Sequence, residues 1–236
     1  MYVLGIESAT PVAAAAVAGL DGILAERMVM NKRTHSVNLL PMIKAVLDDA
    51  QIDHSQLAGI AVSSGPGSFT GLRIGMSTAK TLAQVWGLPV AGISTLETLA
   101  HPLTGHGRLV CPVLNARKNE VYTAVFDYSG LKQTQLIGAM AAPIDILINL
   151  LVDYNRPVTF LGDGVPEYML RLQAGLGPLA WFAPMSAGYP RGAAVAELGL
   201  KAFQNSLGGS PLLLQPEYIR PSEAEVVWLK KNSAGR

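Results

Sequence analysis

The sequence predicts an α/β protein built from two similar halves, and three features of the pattern support this. Short apolar runs of strand length alternate with segments whose apolar residues recur at helical spacing. Strand–helix–strand order implies right-handed crossovers and a largely parallel sheet. Three strands followed by strand–helix alternation occur once before and once after residues 101–107, which indicates an internal duplication.

The first half opens with a predicted three-stranded meander, because turn residues separate three short apolar runs. These strands are predicted at 2–6, 12–18 and 22–30. The middle strand is rich in alanine, a poor strand former, but the turns on both sides favour a strand. A helix is predicted over 36–50, with Pro41 either in its first turn or at a kink. The half ends with a strand at 57–63, a helix at about 70–86 and a strand at 89–93.

The second half repeats this scheme in a reduced form. Strands are predicted at 108–114, 121–128, 131–137 and 158–161, helices at 144–151, 165–173 and 192–204, and a loop at 184–189. We therefore predict a first subdomain at 1–100, a smaller second one at 101–220 and a tail at 221–236. The helix at 192–204 is expected to complete the first subdomain.

Composition excludes several classes of protein. The formal net charge of +1 and the scattered basic residues give no electrostatic basis for binding nucleic acid alone. Half of the 236 residues are hydrophobic and 15% are charged, so either the core is large or a partner covers part of the surface. A single cysteine, Cys111, excludes an internal disulfide and fits a reducing compartment. With no signal-peptide pattern and no apolar run of bilayer length, a cytoplasmic location is expected.

The segment 65–75, GPGSFTGLRIG, is the most informative motif. Glycines between a strand and a helix allow backbone N–H groups to approach an anion at the helix N-terminus. The segment is not a Walker loop, because no Lys-Ser/Thr pair follows the second glycine. Alternatively, it is a tight turn in which Thr70 or Ser68 caps the helix. Both interpretations remain open, and the chemistry slightly favours the turn.

The remaining polar residues form no recognisable catalytic set. Glu7, at the end of the first strand, is followed by only two hydroxyl side chains, and one carboxylate with two hydroxyls does not make a metal site. Asp163 lies in a Gly-Asp-Gly turn, and the four histidines share no metal-ligand spacing. The polar cluster 115–122 predicts a hairpin, in which Arg117 and Lys118 either lie at the tip as ordinary charges or meet a phosphate or a partner's carboxylate.

The helix at 70–86 has two apolar stripes, more than one sheet face needs to bury. The first contains Leu72, Met76 and Ala79, and the second contains Ile74 and Leu82. One interpretation is that both helices of the first half are fully buried. We favour the other, in which they form a helix–helix surface for a partner.

These motifs resemble the TsaB family, also called YeaZ. The resemblance rests on 65–75, on 34–36 followed by 39–41, on 116–117 with 120–122, and on 216–220, and it runs from the first strand to about Arg220. Asn115 stands where the family usually has Asp, which weakens any charge-based role for this position.

The resemblance implies a shortened form of the duplicated actin/sugar-kinase/Hsp70-type ATPase fold. It also implies a heterodimer with the catalytic homologue TsaD, which acts with TsaE to place threonylcarbamoyl on adenosine 37 of tRNAs reading ANN codons. TsaC supplies the threonylcarbamoyl adenylate, tRNA is met only through the complex, and the chain alone forms a homodimer. The expected interface residues are His35, Val37, Leu40, Phe69, Leu72, Arg73, Met76 and Lys80.

The same resemblance implies that the chain is not itself an enzyme. The catalytic relative carries a metal-binding His-x-x-x-His pair just after the strand at 89–93, and matching the flanking residues puts Thr95 and Leu99 at those positions. A leucine cannot bind a metal, and a lone threonine is a poor transition-metal ligand.

No cofactor of its own is expected. ATP or ADP bound in the complex would meet Arg117, Lys118 or Glu120. The rival interpretations are a stand-alone ATPase or small-molecule kinase, for which only Glu7 and Asp163 are suitably placed, and a glycoprotease-type peptidase, which lacks a metal pair or triad.

Overall fold

The computed structural model describes residues 1–31, 35–128 and 134–220, which form two five-stranded mixed sheets. The first sheet has the order β3-β2-β1-β4-β5 and the second the order β10-β9-β6-β7-β8. The two orders correspond strand for strand, which agrees with the predicted duplication. Three parts of the sequence analysis lie outside the described residues: Thr34 of the motif 34–36, residues 131–133 of the predicted strand 131–137, and the tail 221–236.

The first subdomain is built on the first sheet. Its elements are β1 (Tyr2–Glu7), β2 (Ala13–Gly19), β3 (Gly22–Val29), α1 (His35–Ala50), β4 (Leu57–Gly65), α2 (Phe69–Trp86) and β5 (Val90–Ser94). β1, β2 and β3 pair antiparallel, whereas β4 pairs parallel with both β1 and β5. The sheet is thus mixed: the predicted meander is antiparallel, and β4 and β5, which extend it, pair parallel as the strand–helix–strand order predicts.

The second subdomain repeats the arrangement. Its elements are β6 (Leu109–Asn115), β7 (Glu120–Asp127), β8 (Thr134–Pro143), α4 (Ile144–Val152), β9 (Val158–Leu161), α5 (Val165–Leu176) and β10 (Ala180–Phe182). Helices α4 and α5 cover one face of this sheet. On the other face lies α3 (Thr95–Ala100), which packs against the second sheet from the end of β5. Neither α3 nor β10 was predicted, because six and three residues are too short to show a period.

The first sheet is covered on both faces, and this explains the alanine-rich β2. Helices α1 and α2 pack on one face, and α6 (Gly192–Gln204) packs on the other. All seven residues of β2 are buried. A Cβ atom on Gly192 would lie 2.9 Å from the backbone of Ala15, so α6 approaches the strand too closely for large side chains. Small residues in β2 are therefore required by the helices above and below it.

Pro41 lies in the second turn of α1, and the helix continues through it. Because proline has no backbone N–H, the carbonyl of Val37 loses its usual partner in the helix.

Among the described residues, no helix is both long and apolar enough to cross a membrane.

Candidate partner face and interdomain cleft

The glycine-rich segment folds onto the turn between β1 and β2. The Ser68 hydroxyl caps α2 by accepting a bond from the Gly71 N–H at 3.2 Å, and the Ser68 N–H donates to the Ala9 carbonyl at 2.7 Å. A Cβ on Gly71 would lie 2.1 Å from the Ser8 carbonyl oxygen, and one on Gly67 would lie 2.2 Å from that of Ala9. Both glycines are thus required by contacts within the chain, which supports the capped turn over the anion site.

Glu7 lies beneath this turn and is fully buried. Its Oε1 accepts a bond from the Ala9 N–H at 2.6 Å, and the Ser63 hydroxyl donates to Oε2. Burial raises the pKa of Glu7 from 4.5 to about 7, against the opposing effect of these hydrogen bonds. Both carboxyl oxygens are therefore used inside the first subdomain, and Glu7 is not among the residues that line the cleft described below.

The orientation of α2 corrects two residues of the predicted interface. Leu72 is 1% exposed and Met76 is 4% exposed, and both pack in the core of the first subdomain. The Ser68 cap fixes the start of the helix, and from there positions 72, 76, 79 and 83 fall on the side that meets the sheet. The second stripe, Ile74 and Leu82, is partly buried where α1 lies alongside α2. The helix needs both stripes because it meets two elements.

The outer face of α1 does carry exposed apolar side chains. Val37 is 55% exposed and Leu40 is 53% exposed. On α2, Arg73 is also exposed. His35 is half-buried at the start of α1, with its Nε2 2.9 Å from the Thr10 carbonyl oxygen. We call Val37, Leu40 and Arg73 the outer face.

Three of the predicted interface residues contact the chain's own C-terminal strap, which we define as residues 207–220. The Tyr218 ring stacks on Phe69 with a centroid distance of 5.1 Å. Arg73 lies over the Phe69 ring at 4.0 Å and donates to the Tyr218 hydroxyl at 3.1 Å. Lys80 donates to the Leu214 carbonyl at 3.1 Å. The strap thus packs along α2 on its way to the second subdomain.

A cleft of about 890 Å³ lies between the subdomains, beside the N-terminus of α2. The glycine-rich turn, the β6–β7 hairpin and the end of the strap line it. The structure brings Arg117 and Lys118 to this lining, as sequence reasoning required for a phosphate contact. Arg117, Lys118 and Asn119 all have positive φ angles, a conformation that costs an ordinary L-residue about 1–2 kcal/mol.

The remaining nucleotide candidate, Glu120, is not among the residues lining the cleft. Its carboxylate pairs with the Arg220 guanidinium, which also donates to the Ala116 carbonyl at 3.2 Å. A carboxylate held by an arginine is a poor site for a phosphate. Glu120 therefore attaches the strap to the hairpin and does not line the cleft, contrary to its predicted place at a nucleotide.

Asn115 anchors the same hairpin to α5. Its Nδ2 donates to Glu167 at 2.6 Å, its backbone N–H donates to Asp163 at 3.0 Å, and its Oδ1 accepts from the Arg117 N–H at 2.8 Å. An amide suits this position because it donates to one acidic neighbour and accepts from the backbone. Burial raises the pKa of Asp163, and the hydrogen bond from the Asn115 N–H partly offsets this rise.

Comparison with known proteins establishes the family. A family model described as "TsaD: tRNA N6-adenosine threonylcarbamoyltransferase" matches residues 22–228. The tRNA threonylcarbamoyladenosine biosynthesis protein TsaB of Bacillus subtilis (strain 168) is 30% identical over 230 residues, covering 98% of this chain and 99% of that protein. The chain belongs to the TsaB family.

Solved structures show the fold. A Pseudomonas aeruginosa protein described as uncharacterized, with similarity to peptidase YeaZ, has a TM-score of 0.79 and 23% identity, covering 93% of this chain and 99% of its own. The ROK hexokinase of Thermus thermophilus has a TM-score of 0.52 and 13% identity, covering 85% and 99%. The predicted duplicated actin/sugar-kinase/Hsp70-like fold in two subdomains is confirmed.

In this TsaB-family chain, the two positions matched to the metal-binding histidines lie in α3. Thr95 is buried at its start, and Leu99 packs against the second sheet. The nearby His101 contacts α6 instead, since its Nε2 lies 3.0 Å from the Glu197 carboxylate. Within residues 1–31, 35–128 and 134–220, no three His, Cys, Asp or Glu side chains are grouped to hold a metal ion.

Sequence reasoning did not assign a role to three residues that shape this region. Tyr218 and Arg220 belong to the motif 216–220 and Asn115 departs from the family pattern, but none of these facts predicts a contact for the side chain. The available signal was the aromatic and basic pair two positions apart in 216–220. Its partners, Phe69 and Glu120, lie about a hundred or more positions away, so spacing could not reveal the contacts.

Proposed function

We propose that this chain is the non-catalytic subunit of a complex that transfers threonylcarbamoyl to N6 of adenosine 37 in tRNAs reading ANN codons. It acts by binding a TsaD-like catalytic subunit through the outer face of α1 and α2. A TsaE-like ATPase joins the assembly, and a TsaC-like enzyme supplies the threonylcarbamoyl adenylate. The chain works in the cytoplasm, meets tRNA only through the complex, and forms a homodimer when no partner is present.

The observation that carries the proposal is the exposure of Val37 and Leu40 on α1. They lie three positions apart, so both side chains project from one side of the helix. More than half of each is exposed. Burying such a side chain against a partner contributes about 1.5–3 kcal/mol when burial is complete. Pro41, also exposed beside them, extends this apolar surface.

Three observations support a non-catalytic role. Leu99 occupies one matched histidine position and is packed in a hydrophobic cluster between the subdomains. Glu7 has both carboxyl oxygens bonded to neighbouring groups in the first subdomain. The formal net charge of +1 over 236 residues gives no electrostatic basis for this chain to bind tRNA alone.

ATP or ADP is expected to bind only in the assembled complex. Arg117 and Lys118 line the cleft and are exposed, so they are the candidates for a phosphate contact. Neither a Walker lysine nor a free glycine-rich loop stands beside them, because the glycines already pack on the β1–β2 turn. Isothermal titration of the isolated chain should give weak or undetectable ATP binding. Sub-micromolar affinity would contradict this expectation.

The rival functions receive less support from the same residues. A stand-alone ATPase or small-molecule kinase would share the hexokinase-like fold and would need carboxylates at its phosphate cleft. Of its two candidates, Asp163 lines the cleft, while Glu7 is enclosed. A peptidase would need a catalytic nucleophile or a metal site, and the described part of the chain has no group of three His, Cys, Asp or Glu side chains that could hold a metal ion. Rapid, saturable ATP hydrolysis by the purified chain would favour the first rival.

Reconstitution with purified components tests the proposal. Reactions contain this chain, TsaD-like, TsaE-like and TsaC-like proteins, tRNA and substrates, and each protein is omitted in turn. Threonylcarbamoyladenosine in the digested tRNA is measured by mass spectrometry. We expect no product without this chain and none without the TsaD-like protein. Product formed by this chain with TsaC and substrates alone would overturn the proposal.

A further inference from the structure

The C-terminal strap contacts both subdomains within four residues of chain. Glu217 and Tyr218 touch the first subdomain at the end of β4 and the start of α2. Arg220 touches the second subdomain at the β6–β7 hairpin. Together these residues form one wall of the cleft.

On the side of the first subdomain, the contact begins at the backbone. The Glu217 N–H donates to the Ser64 carbonyl at 2.7 Å. A Cβ on Gly65 would lie 2.5 Å from the Glu217 carbonyl oxygen, so only glycine permits this approach. The Tyr218 ring then covers Phe69, and its hydroxyl accepts a bond from Arg73. The strap thereby covers the first turn of α2.

On the side of the second subdomain, a single arginine makes the contact. The Arg220 guanidinium pairs with the Glu120 carboxylate and donates to the Ala116 carbonyl. The two charged side chains are only 29% and 27% exposed, so water screens this pair less than it screens an open surface pair. Ala116 and Glu120 flank the strained tip of the hairpin.

The short distance along the chain makes the two contacts interdependent. The Cα atoms of Tyr218 and Arg220 can be at most about 7 Å apart, because a residue spans no more than about 3.6 Å. If the hairpin moved away from α2 by several ångströms, either the Glu120 pair or the stack on Phe69 would have to break. Loss of one contact should therefore loosen the other.

We infer that residues 214–220 form a latch, in which the Arg220–Glu120 ion pair holds Tyr218 over Phe69 and Arg73. When the hairpin separates from α2, the latch opens, uncovers Phe69 in the first turn of α2 and releases Arg73 of the outer face from the Tyr218 hydroxyl. The latch is a property of the isolated chain; that the uncovered turn then meets a TsaD-like subunit rests on the proposed function.

Amide hydrogen exchange on the isolated full chain tests the latch, with NMR resolving the Glu217 amide. Glu120→Gln removes the charge of the pair in the second subdomain. Asp145→Asn is the control, because it removes the carboxylate charge of another ion pair in the same subdomain, the Asp145–Arg171 pair that joins α4 and α5. We expect exchange at Glu217 to rise at least tenfold in Glu120→Gln and to stay within twofold of wild type in Asp145→Asn.

A second variant tests whether the faster exchange in Glu120→Gln comes from loss of the ion pair or from the new glutamine side chain itself. Arg220→Ala removes the pair from the other side and should give the same rise at Glu217. If Glu217 exchanges at the wild-type rate in both variants, the strap is held independently of the second subdomain and the latch is wrong. Because no partner is present, this result is distinct from a failure of the proposed function, which reconstitution measures.

Discussion

Leu39 and Leu40 are adjacent in α1 and have opposite environments. Leu39 is 1% exposed and packs in the core of the first subdomain, whereas Leu40 projects from the outer face. Residues next to each other on a helix point about 100° apart, so one turn of α1 directs one leucine into the core and the next toward solvent. The pair therefore provides matched sites at which the same substitution tests two different roles.

Leu72 is expected to be essential for folding. Truncating a core leucine to alanine costs about 2–5 kcal/mol, and an aspartate there would in addition bury a charge without a counter-ion. Leu72→Asp should therefore be insoluble or should melt far below wild type, and Leu72→Ala should be measurably less stable in urea. A Leu72→Asp protein that melts within a few degrees of wild type would show that the helix is oriented differently.

Gly71 is expected to tolerate no side chain. Gly71→Ala would place a methyl group against the Ser8 backbone carbonyl, which cannot rotate away. Overpacking of this kind costs about 1–3 kcal/mol. Gly138→Ala is the control, because a Cβ there meets nothing within 4 Å, and its stability in urea should be unchanged or slightly higher. Equal stabilities for the two variants would contradict the packed turn.

Glu7 should make stability depend on pH. Its carboxyl keeps a proton up to a pKa of about 7 in the folded chain, whereas the unfolded chain loses it near 4.5. The stabilisation is therefore complete below pH 4.5 and is lost as the pH rises to 7. Relative to Glu7→Gln, wild type should lose about 2–3 kcal/mol of unfolding free energy between pH 5 and pH 8. If the difference in unfolding free energy between wild type and Glu7→Gln were the same at pH 5 and pH 8, this prediction would be wrong.

Most of the fold could be predicted from the sequence, because the longer helices and strands show a clear periodicity of apolar residues. The alanine-rich β2 was predicted at 12–18 from its flanking turns, one residue before its observed bounds Ala13–Gly19. Helix α6 was predicted with its observed bounds, Gly192–Gln204. Elements of three or six residues could not be found in this way. Nor could the sequence show that β8 extends to Pro143, because Gly138, a residue typical of turns, lies inside the strand directly after the predicted end at 137.

The candidate site was predicted less completely, for a physical reason. The apolar stripes of α2 could not reveal which neighbour buries each of them, so Leu72 and Met76 were assigned to a partner instead of the core. Val37 and Leu40 have the same hydrophobic character, yet they are exposed. The strap contacts of Phe69, Arg73 and Lys80 join residues more than a hundred positions apart.

The central claim is that the exposed side of α1 binds the TsaD-like subunit. Its most direct test is the affinity of that subunit for Leu40→Asp, measured by isothermal titration after size-exclusion chromatography. Because Leu40 is already half in water, the variant should fold and melt almost as wild type does, whereas Leu39→Asp should be strongly destabilised.

We predict that folded Leu40→Asp loses at least tenfold in affinity for the TsaD-like subunit, because complex formation would desolvate the new carboxylate. Its homodimerisation and its support of tRNA modification should fall with it. Wild-type affinity of a folded Leu40→Asp protein would contradict the interface and the function proposed from it.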